Sequence, residues 1–405
     1  MIVDETIGHL DKIRQVNAGI IYQLIDMYGP ISRIDLSKKA QLVPASITKI
    51  ARELVDGHLI TEYEYQEVGS RGRPAIGLML ETEGWHYLAV RIHYGRLVLA
   101  LHDLGMSTIC EDNITLPTDT DFPFLATLIY EIEQFFQRHR DKLERLTAVA
   151  ITLPGIIDPK LGIVHKMPFY QVNDLPIADI LRETIGVPVF IQQDIATWTL
   201  AEFLFGAATR CNNVIQLSID NQVSAAVLHE GNLLHALSVS AVEIGHYQII
   251  EQGERCYCGK KGCLETVTSI DNLLRIAKQR AQIQPDSRLN QLDLTIEQFC
   301  QAIKAGDTLA YEMIQTMSDQ LGRVLALMVN VFNPKMLVIG SPLNMVADVF
   351  YPLLLEKIKQ YGFLPYQQEL ILVPCHFTNE STIPAAALIK QALYNGSLLG
   401  KLLQG

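Results

Sequence analysis

The chain contains no apolar run approaching the roughly 20 residues that a membrane-crossing helix requires. Its first residues, which include Asp4, Glu5 and Asp11, have no apolar stretch, so no signal peptide is expected there. Short-period repeats and low-complexity tracts are also missing, so neither a collagen-like array nor a low-complexity tail is expected. Positive charge is in deficit: 33 Lys and Arg against 44 Asp and Glu give a net charge of −11. That balance argues against a protein that coats nucleic acid over its whole surface. Cysteines are few, seven in all, and Cys110, Cys211, Cys300 and Cys375 are scattered as small buried hydrophobes would be. The expected compartment is the cytoplasm.

At 405 residues the chain exceeds what one hydrophobic core organises, so two or three domains are expected. The overall deficit hides a local reversal. Segments 30–55 and 69–74 hold Arg33, Lys38, Lys39, Lys49, Arg52, Arg71 and Arg73 against only Asp35 and Glu53. A basic patch on an acidic chain is the footprint of a site-specific DNA reader.

The pattern of residues 10–28 predicts a helix that ends at Gly29-Pro30. Ser32 then caps a short helix over 33–40, with Ile34 and Leu36 expected to point inward. Pro44 opens a third helix that runs to Val55 and closes at Gly57. Leu59–Gln66 and Ala75–Leu80 alternate as two strands about a turn at Gly69–Pro74. Three helices followed by a hairpin is winged helix-turn-helix order. Beyond Trp85, strands are expected within 86–103, 146–153, 187–193, 214–228 and 336–339. Helices are expected at 124–145, 195–206 and 383–403, the last weakened at Asn395-Gly396. Strands that alternate with helices imply an α/β body.

In the third helix Ile47, Ile50, Ala51 and Leu54 repeat at i, i+3, i+4, i+7 and form the core stripe. Ala45, Lys49 and Arg52 fall opposite, with Ser46 and Thr48 alongside. A small apolar side chain, hydroxyls and cations suit thymine methyls, phosphates and guanine edges in a major groove. Such a face alone is equally compatible with plain solvent. The turn Gly69-Ser70-Arg71-Gly72-Arg73-Pro74 decides between the two, because arginines on a Gly/Pro tip are drawn to a narrow minor groove. The candidate DNA-binding residues are therefore Arg33, Ala45, Ser46, Thr48, Lys49, Arg52, Arg71 and Arg73.

A second constellation lies downstream. Glu243-Ile244-Gly245-His246 is followed by Cys256-Tyr257-Cys258-Gly259-Lys260-Lys261-Gly262-Cys263-Leu264-Glu265. Three thiolates and one imidazole make a closed tetrahedral zinc set of the structural kind, one ion per subunit. The alternative is reduced thiols in a loop, or a redox pair.

With these motifs in hand, the sequence resembles the ROK family (repressors, open reading frames and sugar kinases) over nearly its whole length. The resemblance rests on Pro44-Ala45-Ser46-Ile47-Thr48-Lys49, Arg71-Gly72-Arg73-Pro74, Leu153-Pro154-Gly155, Asp194, Glu243-Ile244-Gly245-His246 and the cysteine loop ending at Glu265. It implies an N-terminal winged helix-turn-helix on an actin-like, sugar-kinase-like (ribonuclease H-like) two-lobed body. The ligand set it implies is the same: His246, Cys256, Cys258 and Cys263. The expected domains are 1–82 for DNA binding, 83–194 with 385–405 as a small lobe that docks a partner, and 195–384 as a large lobe with the zinc site and the oligomer interface.

The departures from the family pattern bear on catalysis. Kinases of the family carry an Asp-Ile-Gly-Gly-Thr-Lys phosphate loop, where this chain has Arg91-Ile92-His93-Tyr94-Gly95-Arg96. Bulky side chains at His93 and Tyr94 obstruct the backbone approach that glycine permits. Asp220-Asn221-Gln222-Val223-Ser224 matches a second glycine-rich turn, and Asp220 repels phosphate. Phosphoryl transfer and ATP binding are therefore not expected. Asp194, Glu243 and Glu265 match the sugar side of the family's site. They remain either as an effector pocket or as braces for the zinc loop and the cleft between domains, and flanking of the ligands by both glutamates favours bracing.

The resemblance further implies a homodimer or homotetramer that represses sugar-uptake and phosphotransferase-system genes on operator DNA. Release is expected through capture by the cytoplasmic domain of a glucose-specific phosphotransferase permease. A repressor induced by a sugar or sugar phosphate, and an active sugar kinase, stand as alternatives. The expected docking surface is the helix over 124–145, where Phe135 and Phe136 lie beside Arg138; packing of both rings in the core is the competing reading. The leucines of 392–405 are expected to pack against the DNA-binding domain.

Overall fold

A computed structural model describes residues 9–65, 75–118, 122–143, 145–167, 170–234, 242–363, 369–378 and 381–403. The chain divides into two compact units, 1–197 with 382–405 and 198–381.

The first unit opens with α1 (His9–Tyr28), β1 (Ile31–Ser32), α2 (Arg33–Ala40), α3 (Pro44–Asp56), β2 (Ile60–Tyr65) and β3 (Ala75–Leu80). Each boundary has a local cause. The Ser32 side chain accepts the Asp35 N–H at 3.1 Å and caps α2, and Gln41 ends it in a left-handed conformation. Pro44 sits in the first turn of α3, where its missing N–H costs nothing. Gly57 closes that helix by donating to the Glu53 carbonyl. The α3 stripe Ile47, Ile50, Ala51 and Leu54 is buried as its spacing predicts. Ile34 departs from expectation: it is 69% exposed, whereas Leu36 is fully buried. Residues two apart on a helix point about 200° apart, so only one of the pair can face inward.

The body of this unit is a five-stranded sheet in the order β11-β7-β4-β5-β6. Its strands are β4 (Trp85–His93), β5 (Arg96–Asp103), β6 (Thr108–Thr115), β7 (Arg145–Leu153) and β11 (Val189–Gln193); β8 (Ile156–Asp158), β9 (Ile163–Lys166) and β10 (Asn173–Leu175) form a small side sheet. β4 pairs parallel with β7 and β7 with β11, while β4, β5 and β6 run antiparallel. Helices α4 (Phe124–Arg138) and α5 (Ile177–Ile185) pack on the sheet, and α6 (Asp194–Phe205) follows β11. α4 ends seven residues before the expected limit. Its stripe Phe124, Leu128, Ile132 and Phe135 is followed by His139-Arg140-Asp141-Lys142, which supplies no further apolar member.

The second unit carries a sheet in the order β14-β13-β12-β15-β16, from β12 (Val214–Ile219), β13 (Val223–His229), β14 (Asn232–Leu233), β15 (Met336–Gly340) and β16 (Ile371–Pro374). Around it lie α7 (Glu265–Thr268), α8 (Ile270–Ala281), α9 (Ile296–Lys304), α10 (Thr308–Phe332) and α11 (Ala347–Tyr361). Helices α8 to α11 are additions to the sequence reading. In α10 thirteen of 25 residues are buried, so no narrow apolar stripe marks it in the sequence.

The chain returns to the first unit as α12 (Ile383–Tyr394) and α13 (Ser397–Leu402), broken at Asn395-Gly396. Both pack on α1, and α12 also lies on β4 and β7. The approach is close enough to demand glycine: a Cβ on Gly19 would sit 2.2 Å from the Tyr394 carbonyl oxygen.

Candidate nucleic-acid interface and metal centre

On α3 the side chains of Ala45, Thr48, Lys49 and Arg52 are all exposed, and Ser46 is half-buried. The Thr48 hydroxyl donates back to the Pro44 carbonyl at 2.9 Å. Arg52 is 83% exposed and only loosely opposed by Asp56 at 3.9 Å. Arg33 is tied at 2.6 Å to Glu62 of β2, which joins α2 to the wing. The tip arginines Arg71 and Arg73 lie outside the described residues.

In the second unit His246, Cys256, Cys258 and Cys263 converge, with one ligand atom of each lying within 4.8 Å of all the others. His246 Nδ1 is 3.5 Å from Cys256 Sγ, and Cys258 Sγ is 3.6 Å from Cys263 Sγ. A tetrahedron with metal–sulfur bonds of about 2.3 Å has edges of about 3.8 Å, so the donors fit a zinc-sized ion. Local chain geometry explains the convergence. Gly262 has φ +69°, and a Cβ there would lie 1.6 Å from the Ile250 carbonyl oxygen, so the loop closes only with glycine. Burial, with the charge on Lys260, holds the His246 imidazole below its ordinary pKa against the opposing pull of Glu243. The neutral ring is the metal-binding form.

Tyr257, between the first two cysteines, was not singled out from the sequence. Its hydroxyl lies 3.1 Å from His246 Nε2 and accepts from Gln222 Nε2 at 3.3 Å. That contact turns Nδ1 toward the thiols, the orienting role that partners of metal-bound histidines play. An aromatic residue between two candidate ligands was the available signal.

The glutamates flank this cluster. Glu243 Oε2 stands 3.9 Å from His246 Nε2. Glu265 accepts the Val223 N–H at 3.0 Å and so ties α7 to the β12–β13 hairpin. Burial, with Glu243 nearby, pushes the Glu265 carboxyl up to about 7 despite that hydrogen bond. In the first unit Asp194 opens α6 with its Oδ2 3.7 Å from His93 Nδ1. Arg91 is almost wholly buried in β4, and the Gly95 N–H at the β4–β5 turn donates to the Tyr170 hydroxyl at 3.1 Å. At the matching turn of the second unit, Asp220 donates its N–H to the Gln222 carbonyl in a tight hairpin.

The expected partner-docking residues separate. Phe135 is fully buried and is not a surface residue, which corrects that expectation. Adjacent helix positions diverge by about 100°, so Phe136 swings out. It is half-buried and lines a cavity of about 470 Å³ with Ile129, Leu143, Leu181 and Ile185, rimmed by Glu133. Arg138 is exposed at 45% and paired with Asp112 at 2.7 Å.

Comparison with known proteins places these features. Residues 87–392 match the model of the ROK family. The chain is 50% identical over 406 residues to the DNA-binding transcriptional repressor Mlc of Escherichia coli K12, covering all of both chains. It is 35% identical to the DNA-binding transcriptional dual regulator NagC of the same organism, over 98% of each chain. Among solved structures, one described as a ROK family transcriptional regulator, homolog of the E. coli MLC protein, superposes with a TM-score of 0.90 at 42% identity, covering 98% of this chain and all of that one. The likeness to these repressors runs along the full length, and the chain belongs to the ROK family.

Proposed function

We propose that the chain is a DNA-binding transcriptional repressor of sugar-uptake and phosphotransferase-system genes, relieved by capture on the cytoplasmic domain of a glucose-specific phosphotransferase permease. One observation carries the reading: a full-length likeness to Mlc coincides with an α3 face that holds Ala45, Thr48, Lys49 and Arg52 in solvent. These residue types suit a major groove, with Arg71 and Arg73 reaching the adjacent minor groove. A homodimer, or a homotetramer made of two, presents paired heads to a pseudo-palindromic operator.

In this reading the protein is not an enzyme and binds no ATP. The Gly95 N–H is engaged by Tyr170, and Asp220 brings negative charge to the other turn. Zinc, one ion per subunit on His246, Cys256, Cys258 and Cys263, is structural, because four protein ligands leave no position for a reacting water. Asp194, Glu243 and Glu265 serve as braces, as the hydrogen bond from Val223 to Glu265 supports. Phe136 and Arg138, on different sides of α4, are the contacts offered to the permease domain. The protein is cytoplasmic and reaches the membrane only through that partner; among the described residues no helix is long and apolar enough to cross a membrane.

Gel shifts of the full-length protein on promoter duplexes of glucose-transport genes test the proposal. Specific binding that the permease domain relieves, and free sugars do not, is expected. Release by a sugar phosphate alone would favour a small-molecule-induced repressor. Turnover of Mg-ATP with a hexose would overturn the assignment.

A further inference from the structure

Exposed apolar side chains lie on α3 and immediately ahead of it. Val43, the residue that caps α3 with an extended backbone, is 64% exposed. Ala45, two residues on, is exposed as well. Thr48 is exposed, but its hydroxyl proton is spent on the Pro44 carbonyl. What Thr48 offers outward is therefore its methyl group and an oxygen that can only accept. Ala45 and Thr48, three residues apart, thus share the outward face of the helix, and Val43 is exposed just ahead of its first turn. Lys49 and Arg52 stand exposed on the same outward face, and Lys38 and Lys39 are exposed on α2.

Exposed methyl groups beside cations fit a polyanion that itself presents apolar groups. The C5 methyl of thymine is the apolar group that a duplex displays in its major groove. The N-terminal residues of a recognition helix are the ones that reach base edges there. We propose that Val43, at the mouth of α3, and Ala45 and Thr48, on its outward face, read thymine methyls, so that each half-site is specified at these positions by T·A pairs through apolar contact. Lys49 and Arg52 hold phosphates and set the register. The inference rests on the DNA-binding reading above and names what that surface recognises. It also gives a role to Val43, which lies outside the residues that the sequence pattern selects.

The test uses the full-length protein. Binding duplexes are recovered from a random-sequence pool, and the thymines of the preferred duplex are replaced one at a time by deoxyuridine, which removes only the methyl. Affinities are compared for the unaltered chain, Val43→Ala and Thr48→Ser. A loss of about three- to five-fold is expected at one or two thymines per half-site, the scale of one buried methyl. Val43→Ala should abolish that sensitivity at one thymine and Thr48→Ser at another, with the remaining thymines unchanged. Uracil tolerance throughout the half-site, or variants as sensitive as the unaltered chain, would overturn the inference while the DNA-binding reading stood. Recovery of no duplex would overturn both. If Val43→Ala instead changed the oligomeric size and left uracil sensitivity intact, Val43 would belong to a contact between copies of the chain, and the inference would fail.

Discussion

The Lys390 ammonium, on the C-terminal helix α12, is buried in an ion pair with the Asp26 carboxylate of α1, 364 positions earlier in the chain. Tyr394 donates to the same carboxylate oxygen at 2.7 Å. Burial lowers the Lys390 pKa and Asp26 opposes that shift, so the ion pair is what makes a charge tolerable there. Together with the glycine contact at Gly19, the pair fastens the first helix of the DNA-binding head to the body of its unit.

Removing one partner of such a pair strands the other charge. Lys390→Met is expected to destabilise the chain by about 3–5 kcal/mol, and combining it with Asp26→Leu should recover most of that loss. Urea unfolding of the two variants checks this; a single-variant cost below about 1 kcal/mol would contradict the role of the pair.

The metal cluster predicts that the purified protein carries zinc bound by His246, Cys256, Cys258 and Cys263. Cys256→Ser, or a strong chelator, should remove the ion and lower the unfolding temperature together, because site closure and folding are linked. Metal analysis beside calorimetry reads both. A metal-free chain of unchanged stability would refute the structural assignment.

The two neighbouring phenylalanines should behave oppositely. Phe135→Ala empties a fully buried site and should cost about 3–5 kcal/mol. Phe136→Ala should leave stability within about 1 kcal/mol and weaken capture by the permease domain. Equal capture by Phe136→Ala and the unaltered chain, measured on immobilised domain, would remove this helix edge from the interface.

Acid sensitivity can be assigned to Asp307. Burial disfavours its charge, but N–H groups of Ala310 and Arg288 and the Ser287 hydroxyl outweigh that and hold the carboxyl below its ordinary value. A depressed pKa stabilises the fold above the unfolded value near 3.9, and that contribution fades as pH falls through the folded one. Asp307→Asn should therefore flatten the stability decline below about pH 4. Asp307→Ala should cost about 0.5–2 kcal/mol at neutral pH through loss of the α10 cap. Unfolding midpoints collected from pH 3 to 7 would expose a slope that does not depend on residue 307, which is the result against it.

Where chemistry is local in the chain, it was legible. The winged helix-turn-helix follows from Ser32, Pro44, Gly57 and a four-residue stripe, and each acts through neighbours within one or two turns. The ligand set spans only residues 246 to 263, and its glycines dictate a tight loop whatever surrounds it. Long-range packing was not legible in the same way. Ile34 and Leu36 look alike in the sequence, as do Phe135 and Phe136, and only the direction of each side chain toward a core separates them.

What the amino-acid order determined alone is the set of short-range commitments: caps, turns, the stripe of α3 and the clustered thiols. Only the tertiary structure decided that Lys390 is buried against Asp26, that Tyr257 orients His246, that Val43 stays in solvent and that α10 threads a core. Those outcomes depend on which surfaces meet after hundreds of intervening residues have folded, and on burial that makes an ordinary lysine depend on one distant carboxylate.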